Sequence, residues 1–503
     1  MKRLIALCSF LVISISSSNA FSLETPLKNK LCALENNLEE AEKLAINNQF
    51  EEAASIYECY LQKNPNDKQV YLEYIDVERD FENYNKAISL LNNYQNLFGA
   101  DNDYKKHKAR VFADAGFYDS SLQLNDPLIK ASPNDSYLMA TQASALFQSG
   151  KRSEGLGELH NLINKDPKSD DIDYLKIAIE QPLQSTISIG TRFQDLTQAT
   201  DPMYIPPSAQ FIHQNDTVTI YRVPVELQYY FNATTSLLLS AVGEFLSAAS
   251  GNSLTTDTDR SRISDQEYLI GLDSFITPQL ELQGLIGDIA ISNGINRPAA
   301  YFAAKLAPNE KWKISLGALH DLYRPIDLTN GSPLEVSLAI METGGRVHAN
   351  YKSSLQSTMD LDFRISHLSD DNSYTRLAFE PGMILLNTNR TNLMLGINAE
   401  WLSFNKELFE DGYYSPRFFQ LYEVIGLYNI NVTPTFYIEL YVGGGVTKDN
   451  LSHIGPASDL GIETKYTIHR NIDIASEVDY LTRALNPFYS EVRAAISLTW
   501  RFA

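Results

Sequence analysis

The sequence predicts an α+β multidomain chain: a helical solenoid over residues 21–180, then a transmembrane antiparallel β-barrel of about 16 strands over residues 181–503. Three observations predict it. Apolar positions recur at helical spacing early in the chain and at every second residue from about Gln181 onward. The helical part carries a 34-residue repeat. After Ala20 no apolar run approaches the roughly 20 residues of a membrane helix, so strands of this kind cross a bilayer only as a closed barrel.

The first segment is a short basic start, Met1-Lys2-Arg3, then an almost wholly apolar run from Leu4 to Ile15, then a small-residue exit at Ser18-Asn19-Ala20. That pattern predicts a secretory signal peptide over residues 1–20, with Phe21 opening the mature chain. The formal charge of −21 becomes −23 when Lys2 and Arg3 leave. A phosphate-backbone binder needs a basic face, so nucleic acid is excluded as a partner. Maturation leaves Cys32 and Cys59. In an oxidising compartment they either pair, closing a loop of roughly 27 residues worth about 3 kcal/mol, or remain as two buried thiols.

From Leu31 to Glu180 the helical pattern is punctuated by "NPND" at Pro65, "SPND" at Pro133 and "DPKS" at Pro167, with the missing beat at Gly99. Phe50, Tyr84 and Tyr118 recur at the same 34-residue step, as do Ala53 and Ala87. A helix pair of this period closed by a proline resembles the tetratricopeptide repeat. In the fourth unit Arg152 and Gly155 replace the aromatic and the alanine, and that unit is expected to cap the stack. Stacked helix pairs leave a groove, so the array is expected to dock periplasmic proteins or polymer rather than act as a spacer.

The later segments alternate. "VELQYYF" sets Val225, Leu227, Tyr229 and Phe231 against Glu226, Gln228 and Tyr230, and "MDLDFRISH" sets Met359, Leu361, Phe363 and Ile365 against Asp360, Asp362 and Arg364. "TFYIELYV" and "NIDIASEVDY" repeat the pattern. The strands are long, roughly 10 to 15 residues against the usual 5 to 6 of soluble sheets. Tight connections such as "NAT", "TPQ" and "VTPT" alternate with long ones at Ala248–Arg262 and Phe404–Pro416. Tyr229, Tyr230, Phe231, Tyr323, Trp401, Phe404, Tyr413, Tyr414, Phe418 and Phe419 cluster near strand ends, as interfacial girdles do. The final strand, with Ile496, Leu498, Trp500 and Phe502 on one face, is expected to close the barrel against a first strand at Thr186–Phe193.

Alternation also assigns a lumen. Glu226, Tyr230, Asp360, Asp362, Arg364, Glu400, Tyr437, Glu439, Tyr441, Glu463, Asp473, Glu477 and Asp479 are the expected pore-lining positions, with Arg192, Lys465 and Arg501 as further opposing charges. Such a lining is net negative and dotted with tyrosines, whose flat faces and hydroxyls suit sugar rings. It favours a neutral or partly cationic glycan over an anionic one.

"LMLGINAEWLSFNKEL…GYYSPRFFQLYEV", from Leu393 to Val424, resembles the C-terminal barrel of the cellulose synthase operon protein C family, and Gly412, Tyr413, Tyr414, Ser415 and Pro416 carry the family-like loop. "LYRPIDLTNGSPL" is a weaker echo. The layout of signal, repeats and barrel is similar to the poly-N-acetylglucosamine export porins, although those carry longer repeat arrays. The resemblance implies an outer-membrane channel for a nascent exopolysaccharide, with the repeats in the periplasm binding synthase or modifying proteins or the polymer.

No phosphate-binding loop, nucleophile elbow or zinc-protease motif is present, so neither catalysis nor a cofactor or metal is expected. Two rival functions stand: a repeat-plus-barrel translocator of surface lipoproteins, and a non-transporting receptor or adhesin whose loops do the work.

Overall fold

The computed structural model describes residues 38–169, 171–199, 216–249, 262–323, 338–388, 390–408, 415–433, 435–450, 454–469, 471–483 and 488–502. The chain forms two compact units, residues 1–115 and 116–503. The predicted signal peptide and Cys32 lie outside the described residues.

The first unit contains α1 (Leu38–Ile46), α2 (Phe50–Lys63), α3 (Lys68–Asp80), α4 (Tyr84–Phe98) and α5 (Asn102–Asp114). The second begins with α6 (Tyr118–Ala131), α7 (Ser136–Gln148), α8 (Arg152–Lys165) and α9 (Asp171–Leu175), and a π turn at Lys176–Glu180 leads on toward the sheet. The 34-residue period is visible in the backbone. Phe50, Tyr84, Tyr118 and Arg152 each open a helix. Asp67, Asp101 and Asp135 cap α3, α5 and α7, accepting the amides of Val70, Tyr104 and Leu138 at 3.2, 2.9 and 3.2 Å.

The turns inside the pairs repeat as well. Asn48, Glu82, Gly116 and Gly150 all have positive φ, and Gln49, Asn83 and Lys151 donate back to Leu44, Glu78 and Leu146 in the manner of a left-handed helix cap. Ala53, Ala87 and Ser121 are fully buried where paired helices touch. At the equivalent Gly155 a Cβ would lie 2.6 Å from the Phe147 amide nitrogen. The first unit's core centres on Ile56, Ile75, Leu91 and Tyr94, and the second unit's helical core on Met139, Phe147, Leu159 and Leu175. Cys59 is buried and disulfide-bonded.

Sixteen strands follow: β1 (Ser185–Ala199), β2 (Asp216–Asn232), β3 (Thr235–Ala249), β4 (Arg262–Thr277), β5 (Leu280–Ile291), β6 (Asn296–Asn309), β7 (Trp312–Leu322) and β8 (Met341–Ser354), then β9 (Ser357–Leu368), β10 (Ser373–Asn387), β11 (Thr391–Phe404), β12 (Phe419–Thr433), β13 (Phe436–Asp449), β14 (Gly455–His469), β15 (Ile472–Arg483) and β16 (Phe488–Phe502). Each pairs antiparallel with its neighbours, and β1 pairs with β16 from Ser185↔Phe502 onward, so the sheet closes on itself. Register shifts recur near the tight turns, as at Tyr230/Asn232, Phe275/Thr277, Asn431/Thr433 and Thr467/His469, the positions at which bulges bend strands into a barrel rim.

The outer face is oily. Ile189, Phe231, Ile270, Leu272, Ile286, Phe302, Ile365, Val424, Leu498 and Trp500 are all exposed. A patch of that extent is not tolerated in water and is what acyl chains cover. Among the described residues no helix is long and apolar enough to cross a membrane. The chain therefore joins a helical solenoid to a transmembrane antiparallel barrel.

Candidate functional site

The candidate site is the face opposite the oily one. Two contacts show that it is concave. Arg483 of β15 lies 3.4 Å from Glu423 of β12, across two intervening strands. The Tyr301 hydroxyl of β6 donates to Glu267 of β4 at 3.1 Å, across β5. Side chains of non-adjacent strands meet this way on the concave side of a curved sheet.

The expected lining positions alternate with the exposed apolar ones along their strands, and their surroundings differ. On β8–β11 most charges are paired, although Glu380 directly faces Asp360. Arg364 makes a bidentate contact with Glu342 (3.0 and 2.6 Å), which also accepts the Tyr374 hydroxyl at 2.5 Å and the Ser366 hydroxyl. Arg376 holds Glu400 in the same way at 2.7 and 3.1 Å. Asp362 accepts Arg346 Nε at 2.6 Å, and Asp360 accepts the Asn350 amide at 2.8 Å. Planar guanidinium forks on carboxylates are among the stronger hydrogen bonds a protein makes.

On β13–β15 the pairing is partial: Asp459, Asp473 and Glu477 have basic partners, and Glu439 and Glu463 do not among the described residues. Glu439 opposes Glu463, and Glu463 opposes Glu477, so three carboxylates form one row across adjacent strands. Glu439 accepts the Tyr437 hydroxyl at 2.6 Å, and Glu477 lies 3.6 Å from Arg192. Glu463 forms no ion pair among the described residues. The nearby Lys465 is 3.8 Å from Asp473, which Arg501 also contacts and to which the Thr467 hydroxyl donates at 2.8 Å. Tyr441 packs beside Gly443 and Gly461, where the missing side chains make room for its ring. Asp479 opposes Arg493. Across the seam, Glu226 projects from β2, and the Gln228 amide donates to the Tyr230 hydroxyl at 3.1 Å.

Several lining charges escape a reading of the sequence by alternation. Arg222 pairs with Glu244 at 2.8 Å, Arg483 with Asp459 at 3.0 Å, and Arg493 with Glu491. Arg346, Arg376 and Glu342 belong with them. Arg346 alternates with Val347 and Ala349, and shares its face with His348 and Asn350. The lumen thus carries more arginine than expected, and its negative charge is shared between β13–β15 and β3–β5, where Glu244, Asp265, Glu267, Asp273 and Glu281 stand on the same register.

One expectation needs correction. Tyr323, Phe404 and Phe419 do not belong to a lipid-facing girdle: they are 0, 3 and 0% exposed and pack with Leu368 and Tyr374 where the lumen meets the long connections. Parity explains it, since Phe404 shares the register of Glu400 and not of Trp401. The fourth repeat, expected to cap the stack, has a partner of its own on the barrel. The Arg152 guanidinium stacks 4.0 Å from the Phe275 ring centre on β4, so a cation replaces the aromatic where the array meets the barrel rim.

Of the family-like loop, Gly412, Tyr413 and Tyr414 lie outside the described residues. Ser415 is buried, its hydroxyl accepting the Leu408 amide at 2.7 Å, and the Pro416 carbonyl accepts the Phe404 amide at 3.0 Å.

No family model and no curated protein matches the chain. Among solved structures, it is similar to one described as a bacterial polysaccharide outer membrane secretin, at 11% identity over 63% of this chain and 98% of that one, with a TM-score of 0.46. It is also similar to Acinetobacter baumannii OccAB4 (7% identity, 63% and 98% covered, TM-score 0.34) and to a tetratricopeptide repeat protein from Parabacteroides merdae (17% identity, 32% and 67% covered, TM-score 0.27). At these scores the likenesses carry no argument, and the barrel stands on its own hydrogen-bonded closure.

Proposed function

We propose that the chain is an outer-membrane channel through which a nascent exopolysaccharide leaves the cell, with the helical repeats in the periplasm docking the proteins that make or modify the polymer. The observation that carries this reading is the β13–β15 wall: Tyr437, Glu439, Tyr441, Glu463, Glu477 and Asp479 line one side of a closed barrel. Tyrosines give sugar rings flat, hydroxyl-bearing contacts, and a one-sided row of carboxylates sorts permeants by charge. A polymer that is neutral or partly cationic where it passes this wall fits it best. In this reading the tight turns face the periplasm, the long connections, including Gly412–Pro416, face outward, and Cys59 is bonded to Cys32.

The test is deletion of the gene followed by carbohydrate analysis of the cell surface. Loss of a surface glycan is expected. An unchanged glycan with lost surface lipoproteins would instead favour the translocator reading.

A further inference from the structure

A cavity of about 280 Å³ opens where the helices of the second unit meet the tight-turn rim, and Tyr118, Lys151, Phe275, Lys311, Lys313 and Lys352 help to line it. Its walls are held in place by three contacts. The Ser120 amide and hydroxyl, in the first turn of α6, donate to Glu310 of the β6–β7 turn at 3.3 and 2.9 Å. The turn at Gly150 passes so close to Pro278 that a Cβ would lie 1.9 Å from its carbonyl oxygen. The Lys352 ammonium sits 5.4 Å from the Phe117 ring centre.

Four ammonium groups therefore surround a space lined by two carboxylates, Glu310 and Asp119. Glu310 has both oxygens engaged by the start of α6. Lys151, Lys311 and Lys313 form no ion pair among the described residues, and Lys313 and Lys352 stand on the lumen-facing register of β7 and β8. Like charges brought together at a partly desolvated site repel unless a counter-charge joins them. The amides of Gln148, Gln279 and Asn350 add uncharged donors and acceptors, and Tyr118 adds a phenol ring. The cavity's volume lies just under the roughly 300 Å³ at which small-molecule pockets begin, so the space takes one sugar ring and its substituent at most.

We propose that this cavity is an entry subsite for an oxyanion, a carboxylate or phosphate group, carried on the glycan. The proposal rests on the export reading and deepens it: the transported chain bears anionic substituents, met at the rim, on a backbone that is neutral or cationic at the β13–β15 wall.

The full-length protein in detergent is titrated calorimetrically with a galacturonate hexamer, with cellohexaose and with inorganic phosphate. The hexuronate is expected to bind more tightly than cellohexaose and to weaken as salt is raised. The double variant Lys311→Gln/Lys313→Gln should lose about tenfold or more, the scale of a charge-assisted hydrogen bond, while Lys311→Arg/Lys313→Arg retains binding. Hexuronate binding no tighter than cellohexaose, or unchanged in the glutamine variant, overturns the subsite. Phosphate binding as tightly as the hexamer, in competition with it, overturns the glycan assignment in favour of a small-anion site. If the deletion strain loses its surface glycan while the protein ignores hexuronate, the subsite falls and export stands; if hexuronate binds while the surface glycan is intact, the anion site stands and export falls.

Discussion

Two walls of one lumen handle like charges in opposite ways. On β8–β10, Arg346, Arg364 and Arg376 stand directly opposite one another, as Glu439, Glu463 and Glu477 do on β13–β15. Each row alone should weaken the sheet, because like charges facing across a strand pair repel. The arginine row is neutralised locally: Asp362, Glu342 and Glu400 each take one guanidinium. Among the described residues the glutamate row makes a single ion pair, with Arg192 at its edge. The first wall therefore holds the barrel together with little net field, and the second keeps its field at some cost in stability.

The largest effect that would test this contrast is at Glu342, which is 2% exposed. Glu342→Ala strands the Arg364 guanidinium and should destabilise the barrel by about 3–5 kcal/mol, seen as a lower temperature for loss of compact migration on cold gels. Glu400→Gln keeps shape but removes the charge from Arg376, and about 1.5–3 kcal/mol should go by the same assay. On the other wall Glu463→Arg should leave the barrel as stable as before or firmer by up to about 1 kcal/mol, while the reversal potential in a salt gradient moves away from cation preference. Should Glu463→Arg destabilise as much as Glu342→Ala, the two walls are not different in kind. Smallest of all, raising salt from about 0.1 to 1 M, which shrinks the screening length from about 10 to 3 Å, should erode cation preference without shifting the melting temperature appreciably.

Much of this is legible in the residues. The 34-residue period at Phe50, Tyr84 and Tyr118 marks helix starts because a stacked pair repeats its packing needs, and strand parity places Asp360, Glu439 and Glu477 on the lumen face because the side-chain period is two. Partnership stays hidden. Nothing in "GGRVHANY" announces that Arg346 meets Asp362, since register between strands is set by the whole closed sheet. Tyr323, Phe404 and Phe419 mislead because proximity to a strand end does not say which side a ring faces. Arg152 looks like decay of a repeat, when its partner, Phe275, lies 123 positions further along the chain.

The joint between β1 and β16 has a kinetic side. Ser188 receives the hydroxyl hydrogen bond of Thr499 at 3.1 Å, between residues 311 positions apart, whereas each helix pair is complete within a single repeat. Contacts that distant are slow to form, so the solenoid should be native while the cylinder is still an open ribbon with two unpaired rims. Assembly of the wall then waits on its last segment, and until the two edges meet they stand open to pairing with other strands.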